Sequence, residues 1–386
     1  TMQAGKNLTS EQIAPEGTYP VYGGNGIRGF FSDYNCVGQF LTVGHQGALC
    51  GNVHKINGKV WATEHAVITA PSSYAILDFL YYLLIGMDLN QYVSSTAAQP
   101  GLAVGTLLNL KTCYPCSTLE QTQISNYLNA KCSEIDTMLS RTRSSIEEYK
   151  KLKQAVITQA VTKGVRGERE MKNSKIEWVG NIPIDWNTIK LKYCTYIRAR
   201  LGWKALKADE YVEIGFPFLS AFNIVNNTLQ FTNLNYINQF RYDESPEIQL
   251  SNGDVLLVKD GAGIGKCAIV ENMPMPSTVN GSIAVVSVTN SLIPKYLYYY
   301  FLSKMFQQHI DLLKDGMGVP HLFQSDLKEI KIAFPSKDEQ KEIADYLDGK
   351  CAEIDKLIAK KEQLVKELEN YKKSLIYEVV TGKREV

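Results

Sequence analysis

The sequence has no excess of charge of either sign: 41 Lys and Arg stand against 40 Asp and Glu in 386 residues, a formal net charge of +1. A global basic field that would by itself announce nucleic-acid binding is therefore excluded, and a nucleic-acid site must be a local patch. No apolar run approaches the ~18 residues a membrane span needs, and no secretory pattern follows Thr1. The expected setting is the cytoplasm, with no membrane contact. Cysteine is sparse and unpatterned, at 36, 50, 113, 116, 132, 194, 267 and 351, in a chain too large to need staples, so reduced thiols are expected. Hydrophobic residues make up 45% and charged residues 21%, a globular balance that excludes a largely disordered chain. The length suggests roughly two or three domains.

Catalytic equipment is also missing. Asp260 to Lys266, DGAGIGK, evokes a phosphate loop, but that pattern needs Gly at Asp260 and Ser or Thr at Cys267. The same glycines suit a hairpin between strands. Cys113-Tyr-Pro-Cys116 is a lone CxxC with no second pair. The histidines at 45, 54, 65, 309 and 321 show neither metal-ligand spacing nor a helical i, i+4 pair. Walker motifs and the Asn-Pro-Pro-aromatic motif of amino-methyltransferases are absent, and Glu329-Ile-Lys331 supplies only the last fragment of a nuclease pattern. No catalytic residue, metal ligand or cofactor is expected in this chain.

What the chain does have is an internal repeat. Glu120 to Thr162 aligns without a gap onto Glu339 to Thr381, and the opening EQTQISNYLNAKCSEID recurs as EQKEIADYLDGKCAEID. Pro115 and Pro335 precede the copies, each closing a strand-like run, LKTCYP or KEIKIAFP. Ser117 with Glu120, and Ser336 with Glu339, have capping-box spacing, so a helix is expected to start at both places. Ile124, Leu128, Cys132, Ile135, Leu139, Ile146 and Tyr149 recur at three- and four-residue steps, as do Ile343, Leu347, Cys351, Ile354, Ile358, Val365 and Leu368. Two long helices with one apolar stripe each most economically cover each other as an antiparallel pair. The other arrangement is two independent helices, each packed on its own domain.

The modules upstream of the helices repeat more weakly. GDVLLVKDGAGIGKCAIV from Gly253 reads as strand, glycine turn and returning strand, and GQFLTVGHQGALCGNVHKI from Gly38 places Gly47 and Gly51 opposite Gly261 and Gly265. Each module then carries a helix-like run, AILDFLYYLL or KYLYYYFL. The second module opens with WVGNIPIDWNTIKLK from Trp178, after the charged linker VRGEREMKNSK, and nothing equivalent precedes Thr1. The copies differ most in their loops, where a scaffold places specificity.

Local features suited to nucleic acid stand against the absence of catalytic motifs. Lys190, Lys192, Arg198, Arg200, Lys204 and Lys207 crowd around Trp203. A solvated charged face explains such a run equally well. Asn223 to Gln239 holds eight Asn and Gln residues with aromatics interleaved, types that read base edges by paired hydrogen bonds, or that form turns. In the glycine loop, Lys259 and Lys266 join the candidate DNA contacts. The first module offers Lys6, Arg28, Lys55 and Lys59 near Tyr22, Asn25 and His45.

Together the duplicated Pro-then-EQ helix openings with a following C-x-E-I-D, the tandem of divergent modules and similar helices, WVGNIPIDW and the terminal VVTGKREV resemble the DNA-specificity subunit of a type I restriction-modification enzyme. The resemblance covers nearly the whole chain. It implies an α+β fold of two repeated, β-rich mixed α/β target-recognition domains separated by two long antiparallel helices forming a coiled coil. The corresponding segments are 1–118, a first recognition domain lacking its usual N-terminal start; 119–164, the central helix; 165–185, a linker; 186–336, the second recognition domain; and 337–386, the C-terminal helix. It further implies that each domain reads one half of a split site in double-stranded DNA, and that the helices dock two methyltransferase subunits while restriction and translocase subunits join the assembly. S-adenosylmethionine, ATP and Mg would serve the assembled complex and not this chain. Gln121, Tyr127, Gln340 and Tyr346 match the family's repeated regions, and with Ile124, Leu128, Ile135, Ile343, Leu347 and Ile354 they are candidates for subunit docking or helix pairing. The competing expectation is a non-catalytic adaptor, two β-rich binding modules on a coiled-coil strut.

Overall fold

A computed structural model of the chain describes residues 1–47, 50–93, 101–199, 206, 208–314 and 321–386. Two compact units emerge, one built from residues 1–145 with 360–386 and the other from residues 146–359. Each takes the start of one long helix and the end of the other.

The first unit contains β1 (Met2–Ala4), β2 (Tyr19–Gly23), β3 (Gly26–Phe31), β4 (Cys36–Gly44), β5 (Val53–Ala62) and β6 (Ala66–Thr69), hydrogen-bonded in the order β1-β6-β4-β5-β2-β3. Helices α1 (Leu77–Gly86) and α2 (Val104–Asn109) follow, then α3 (Thr118–Lys163), which enters the second unit after Ser145. Successive side chains on a strand point to opposite faces. On β4, Leu41 and Val43 accordingly pack toward α1 with Val67 and Leu84, while Phe40 joins Ile56 and Val60 on the other face.

The second unit begins with β7 (Met171–Asn173), β8 (Asn181–Pro183), β9 (Asn187–Lys190), the single turn α4 (Leu191–Cys194) and β10 (Thr195–Arg198). Next come β11 (Phe216–Leu219), β12 (Ile224–Val225), β13 (Thr228–Leu229), β14 (Asn235–Ile237) and α5 (Gln239–Asp243). Strands β15 (Val255–Val258), β16 (Cys267–Ile269), β17 (Thr278–Val279) and β18 (Ile283–Val288) lead to α6 (Pro294–Leu302), α7 (Lys304–Leu313), α8 (Gln324–Glu329), β19 (Lys331–Phe334) and α9 (Lys337–Val380). Its main sheet runs β10-β18-β15-β16, the same antiparallel arrangement as β1-β6-β4-β5. All four residues of β15 are buried: Val255 and Leu257 face α6, and Leu256 and Val258 face the layer of Leu219 and Val279. The weak sequence repeat is therefore a repeat of topology.

The long helices span 46 and 44 residues, roughly 70 Å for α3 at about 1.5 Å per residue. In the first unit Ile124, Leu128, Cys132, Ile135 and Leu139 of α3 share one buried cluster with Leu375, Ile376, Val379 and Val380 of α9 and with Phe79 and Tyr82 of α1. Asp136 pairs with Lys372 at 2.7 Å and Arg143 with Glu369 at 2.5 Å, so one helix number rises as the other falls and the pair is antiparallel. In the second unit Ile157, Ala160 and Val161 of α3 meet Ile343, Leu347 and Cys351 of α9, with Lys153 to Asp355 at 2.6 Å. The apolar contacts thus extend beyond Tyr149 and Leu368 to Ile157–Val161 and Leu375–Val380, inside the repeated segment.

One expected element differs. The run KEIKIAFP yields β19, paired antiparallel with β9 from Lys331 opposite Lys190 to Phe334 opposite Asn187. Its counterpart LKTCYP is not a strand and pairs with no described strand of the first unit. Pairing, more than local propensity, makes the strand. Among the described residues, no helix is long and apolar enough to cross a membrane.

Candidate nucleic-acid interface

The described residues of the hairpin loop between the central strands make the same backbone hydrogen bonds in both units. In the second unit the Gly265 amide donates to the Val258 carbonyl (3.0 Å), the Val258 amide to Lys266 (2.9 Å) and the Ile264 amide to Gly261 (3.2 Å). In the first unit Gly51 donates to Gly44 (2.7 Å), Gly44 to Asn52 (2.9 Å) and Cys50 to Gly47 (3.2 Å). Gly47 and Gly261 have φ of +89° and +80°, a left-handed conformation that suits glycine, which is why the spacing survives while the other residues diverge. A second strand-like contact completes the site: Leu322 donates to the Lys259 carbonyl (2.9 Å), as Leu102 does to His45 (2.8 Å). The hairpin reading of DGAGIGK thus accounts for its glycines.

On this shared backbone the side chains differ. His45, Gln46, Asn52 and Gly101 stand in the first unit where Lys259, Asp260, Lys266 and His321 stand in the second. Lys259 Nζ donates to Asp260 Oδ2 at 2.6 Å, and His321 Nδ1 bonds to Asp260 Oδ1. Lys266 is exposed.

Several candidates of the first unit converge at this loop. Asn52 Nδ2 donates to Asn25 Oδ1 at 2.6 Å, and the aliphatic part of Arg28 lies over Gly23, beside Tyr22. His45 Nε2 donates to the Glu64 carbonyl, which orients its ring, and the ring of His54 packs against Gly26. Burial lowers the pKa of His54, favouring its neutral form. Tyr22 is half-buried against Phe40, Ile56 and Val60. Lys6 is exposed, on the strap whose amide donates to Ala62 (2.9 Å). Lys55 lies apart: its ammonium pairs with Asp78 of α1 at 2.8 Å and sits 4.5 Å from the Tyr81 ring centre.

The basic run of the second unit divides. Lys190 and Lys192 both bond to Glu329 at 2.6 Å, and together they pull its carboxyl down to about 2. Arg198 is held inside the sheet edge by Asp254 (3.0 Å), Ser287 (2.7 Å) and the Gln249 carbonyl (3.4 Å). Arg200, Trp203, Lys204 and Lys207 lie outside the described residues. The asparagine-rich run serves its own backbone. Asn226 and Asn227, with φ of +51° and +60°, turn β12 into β13, while Asn238 caps α5 by accepting from the Arg241 amide at 2.9 Å. Asn223 accepts from the Ser220 amide at 2.9 Å and fixes the short turn Ala221–Asn223. That turn holds Phe222 outward, 92% exposed. Asp260, His321 and Phe222 were not singled out as contacts from sequence; the recurrence of the glycine loop in both modules was the available signal.

At the helix starts, Gln121 and Gln340 are buried clamps. Gln121 accepts from the Ile76 amide at the start of α1 (3.0 Å) and donates to the carbonyls of Tyr74 (2.9 Å) and Pro115 (2.8 Å). Gln340 does the same with Ile293 before α6 (2.8 Å), Ser291 (3.2 Å) and Pro335 (3.0 Å). Tyr127 is half-buried on the helix cluster of the first unit, and Tyr346 is 41% exposed. Among the described residues no group of His, Cys, Asp or Glu is arranged to hold a metal ion, and Cys113 and Cys116 are exposed free thiols.

The family model described as the type I restriction modification DNA specificity domain matches residues 1–148 and 183–370. The type I restriction enzyme EcoprrI specificity subunit of Escherichia coli is 40% identical over 156 residues, covering 39% of this chain and 36% of that protein. The MjaVIII specificity subunit of Methanocaldococcus jannaschii is 28% identical over 268 residues, 68% of this chain and 60% of that one. The chain thus spans less than two thirds of either relative. Among solved structures, a chain from work on complex assembly and conformational transition of the type I R-M system superposes with a TM-score of 0.72 at 15% identity, over 99% of this chain and 95% of that one. The HsdS subunit of Thermoanaerobacter tengcongensis gives 0.50 at 15% identity over 96% and 92%. At that identity these two likenesses show a shared fold.

Proposed function

The chain belongs to the family of type I restriction modification DNA specificity domains, and from that premise we propose that it is a non-catalytic, sequence-specific DNA-binding subunit of a cytoplasmic restriction-modification complex. Each module reads one half of a split site in double-stranded DNA. The paired helices set the spacing between the halves and dock two methyltransferase subunits, to which restriction and translocase subunits add. S-adenosylmethionine, ATP and Mg then belong to the assembled complex. The observation that carries this reading is the loop pair: the same backbone hydrogen bonds among the described residues present His45, Gln46, Asn52 and Gly101 in one unit and Lys259, Asp260, Lys266 and His321 in the other. A duplicated scaffold with unlike chemistry at its tip suits two unlike half-sites.

The chain should bind a duplex library and select a two-part motif, with retention that falls steeply as salt rises. A coiled-coil adaptor without a DNA partner would select nothing. The purified chain should neither methylate nor cleave DNA, and methyl transfer should require an added methyltransferase subunit. Transfer from S-adenosylmethionine by the isolated chain at high purity overturns the non-catalytic assignment.

A further inference from the structure

Three features are tied to the glycine loop of the second unit. His321 is fixed by its neighbours: Nδ1 bonds to Asp260 Oδ1, the other oxygen of Asp260 is held by Lys259, and the Phe323 ring meets the imidazole edge-on with centres 4.5 Å apart. With Nδ1–H on the carboxylate, the neutral ring presents Nε2 as an acceptor, and Nε2 has no hydrogen-bond partner among the described residues. Phe222 stands 92% exposed on a turn that cannot easily fold it away, since the Phe222 amide donates to Ser220 Oγ (3.3 Å) and the Ser220 amide to Asn223 Oδ1 (2.9 Å). The turn abuts the glycine loop: a Cβ added to Gly263 would lie 3.8 Å from the Cβ of Ala221 and 3.6 Å from the side chain of Lys266.

The Phe222 ring faces solvent beside a polar loop and is available to another surface. Aromatic faces of this kind stack on bases or wedge between base steps. A fixed acceptor suits the exocyclic amino group of adenine or cytosine, and an exposed ammonium suits a phosphate. Here all three are tied to one loop: Asp260 holds the histidine, Lys266 closes the loop, and the turn that carries Phe222 abuts it. The first unit keeps the loop but replaces the histidine by Gly101 and the aspartate by Gln46, so this point of the scaffold is where the two copies diverge.

Building on the proposed DNA reading, we propose that His321, oriented by Asp260, and Phe222 are base-contacting residues of the second module, His321 accepting from a base amino group and Phe222 stacking on a neighbouring base. Lys266 supplies a phosphate contact beside them.

The test is motif selection from a randomised duplex library by the full chain, alone and with its methyltransferase subunits, for wild type, H321A, H321Q, D260N, F222A and F222L. H321A and D260N should relax one or two positions in one half of the motif and leave the other half intact. F222A should weaken binding to the selected site by about ten- to a hundredfold, with F222L intermediate. Thermal melting of F222A and F222L should match wild type, because the ring is in water. A wild-type chain that selects no motif overturns the DNA reading, and this inference with it. A wild-type motif reproduced at full affinity by both H321A and F222A overturns this inference alone.

Discussion

The two helix starts have nearly the same sequence and different surroundings. At the second, Glu339 is 1% exposed, accepts from Trp186 Nε1 at 3.0 Å and is paired with Arg169, whose guanidinium stacks over the Trp186 ring. At the first, Glu120 is exposed and Leu119 beside it is 69% exposed. Ser117 and Ser336 each accept from the glutamate's amide at 3.4 Å, so the serine half of the capping box forms in both copies. The glutamate half is diverted in the second copy, where Glu339 serves Trp186 and Arg169. Those residues and β9 come from residues 169–190, and no described residue of the first unit takes their place. An identical motif thus anchors tertiary structure in one setting and only starts a helix in the other.

The comparison breaks most severely if the helix register is broken. Two residues inserted near Ser144 rotate the following stripe by about 200°, whereas four rotate it by about 400°, close to a full turn. The two-residue insert should lose helix pairing and DNA binding. The four-residue insert should remain active and lengthen the preferred spacer by about one or two base pairs, from about 6 Å of added helix against roughly 3.4 Å per base pair. Methylation-site mapping across a plasmid library distinguishes these outcomes, and an active insert with an unchanged spacer removes the ruler role.

Next in size is the contrast between the glutamates. Glu339→Ala leaves the buried Trp186 N–H without its acceptor and Arg169 with Asp185 at 3.5 Å and the Lys163 carbonyl at 3.3 Å, which should cost about 1–3 kcal/mol. Glu120→Ala should fall within about 0.5 kcal/mol of wild type. Urea unfolding of the two variants measures both, and equal losses would contradict the structural difference.

The glutamines should behave alike, because each satisfies the same three backbone groups in its unit. Gln121→Ala and Gln340→Ala should each destabilise by about 1–3 kcal/mol, with local amide exchange rising at the start of α1 for the first and of α6 for the second. Opening confined to one unit in both variants would show that the clamps are not equivalent.

The smallest expected effect separates two cations. Arg198→Ala should lower the melting temperature and leave the salt slope of DNA binding unchanged, since its partners are Asp254 and Ser287. Lys266→Ala should leave the melting temperature unchanged and reduce the salt slope by about one. An Arg198→Ala chain that melts normally but loses one unit of salt slope would return that arginine to the DNA surface.

Much of this organisation was legible in the residues themselves. The gapless repeat, the serine caps and the three- and four-residue apolar steps determined two long helices, because helix periodicity is a local property written every turn. The glycine pairs at 47 and 51 and at 261 and 265 determined a common loop, because a left-handed backbone restricts which residues fit. Tertiary structure decided what the local pattern leaves open. Whether KIAFP or KTCYP becomes a strand depends on a paired partner, the partners of Arg198 come from Asp254 and from Ser287 of β18, and the asparagines of the run take their roles from backbone φ at 226 and 227 and from side-chain hydrogen bonds at 223 and 238. Charge and residue type are carried by the sequence, but the partners that consume or free them come from residues distant along the chain, and only folding brings those together.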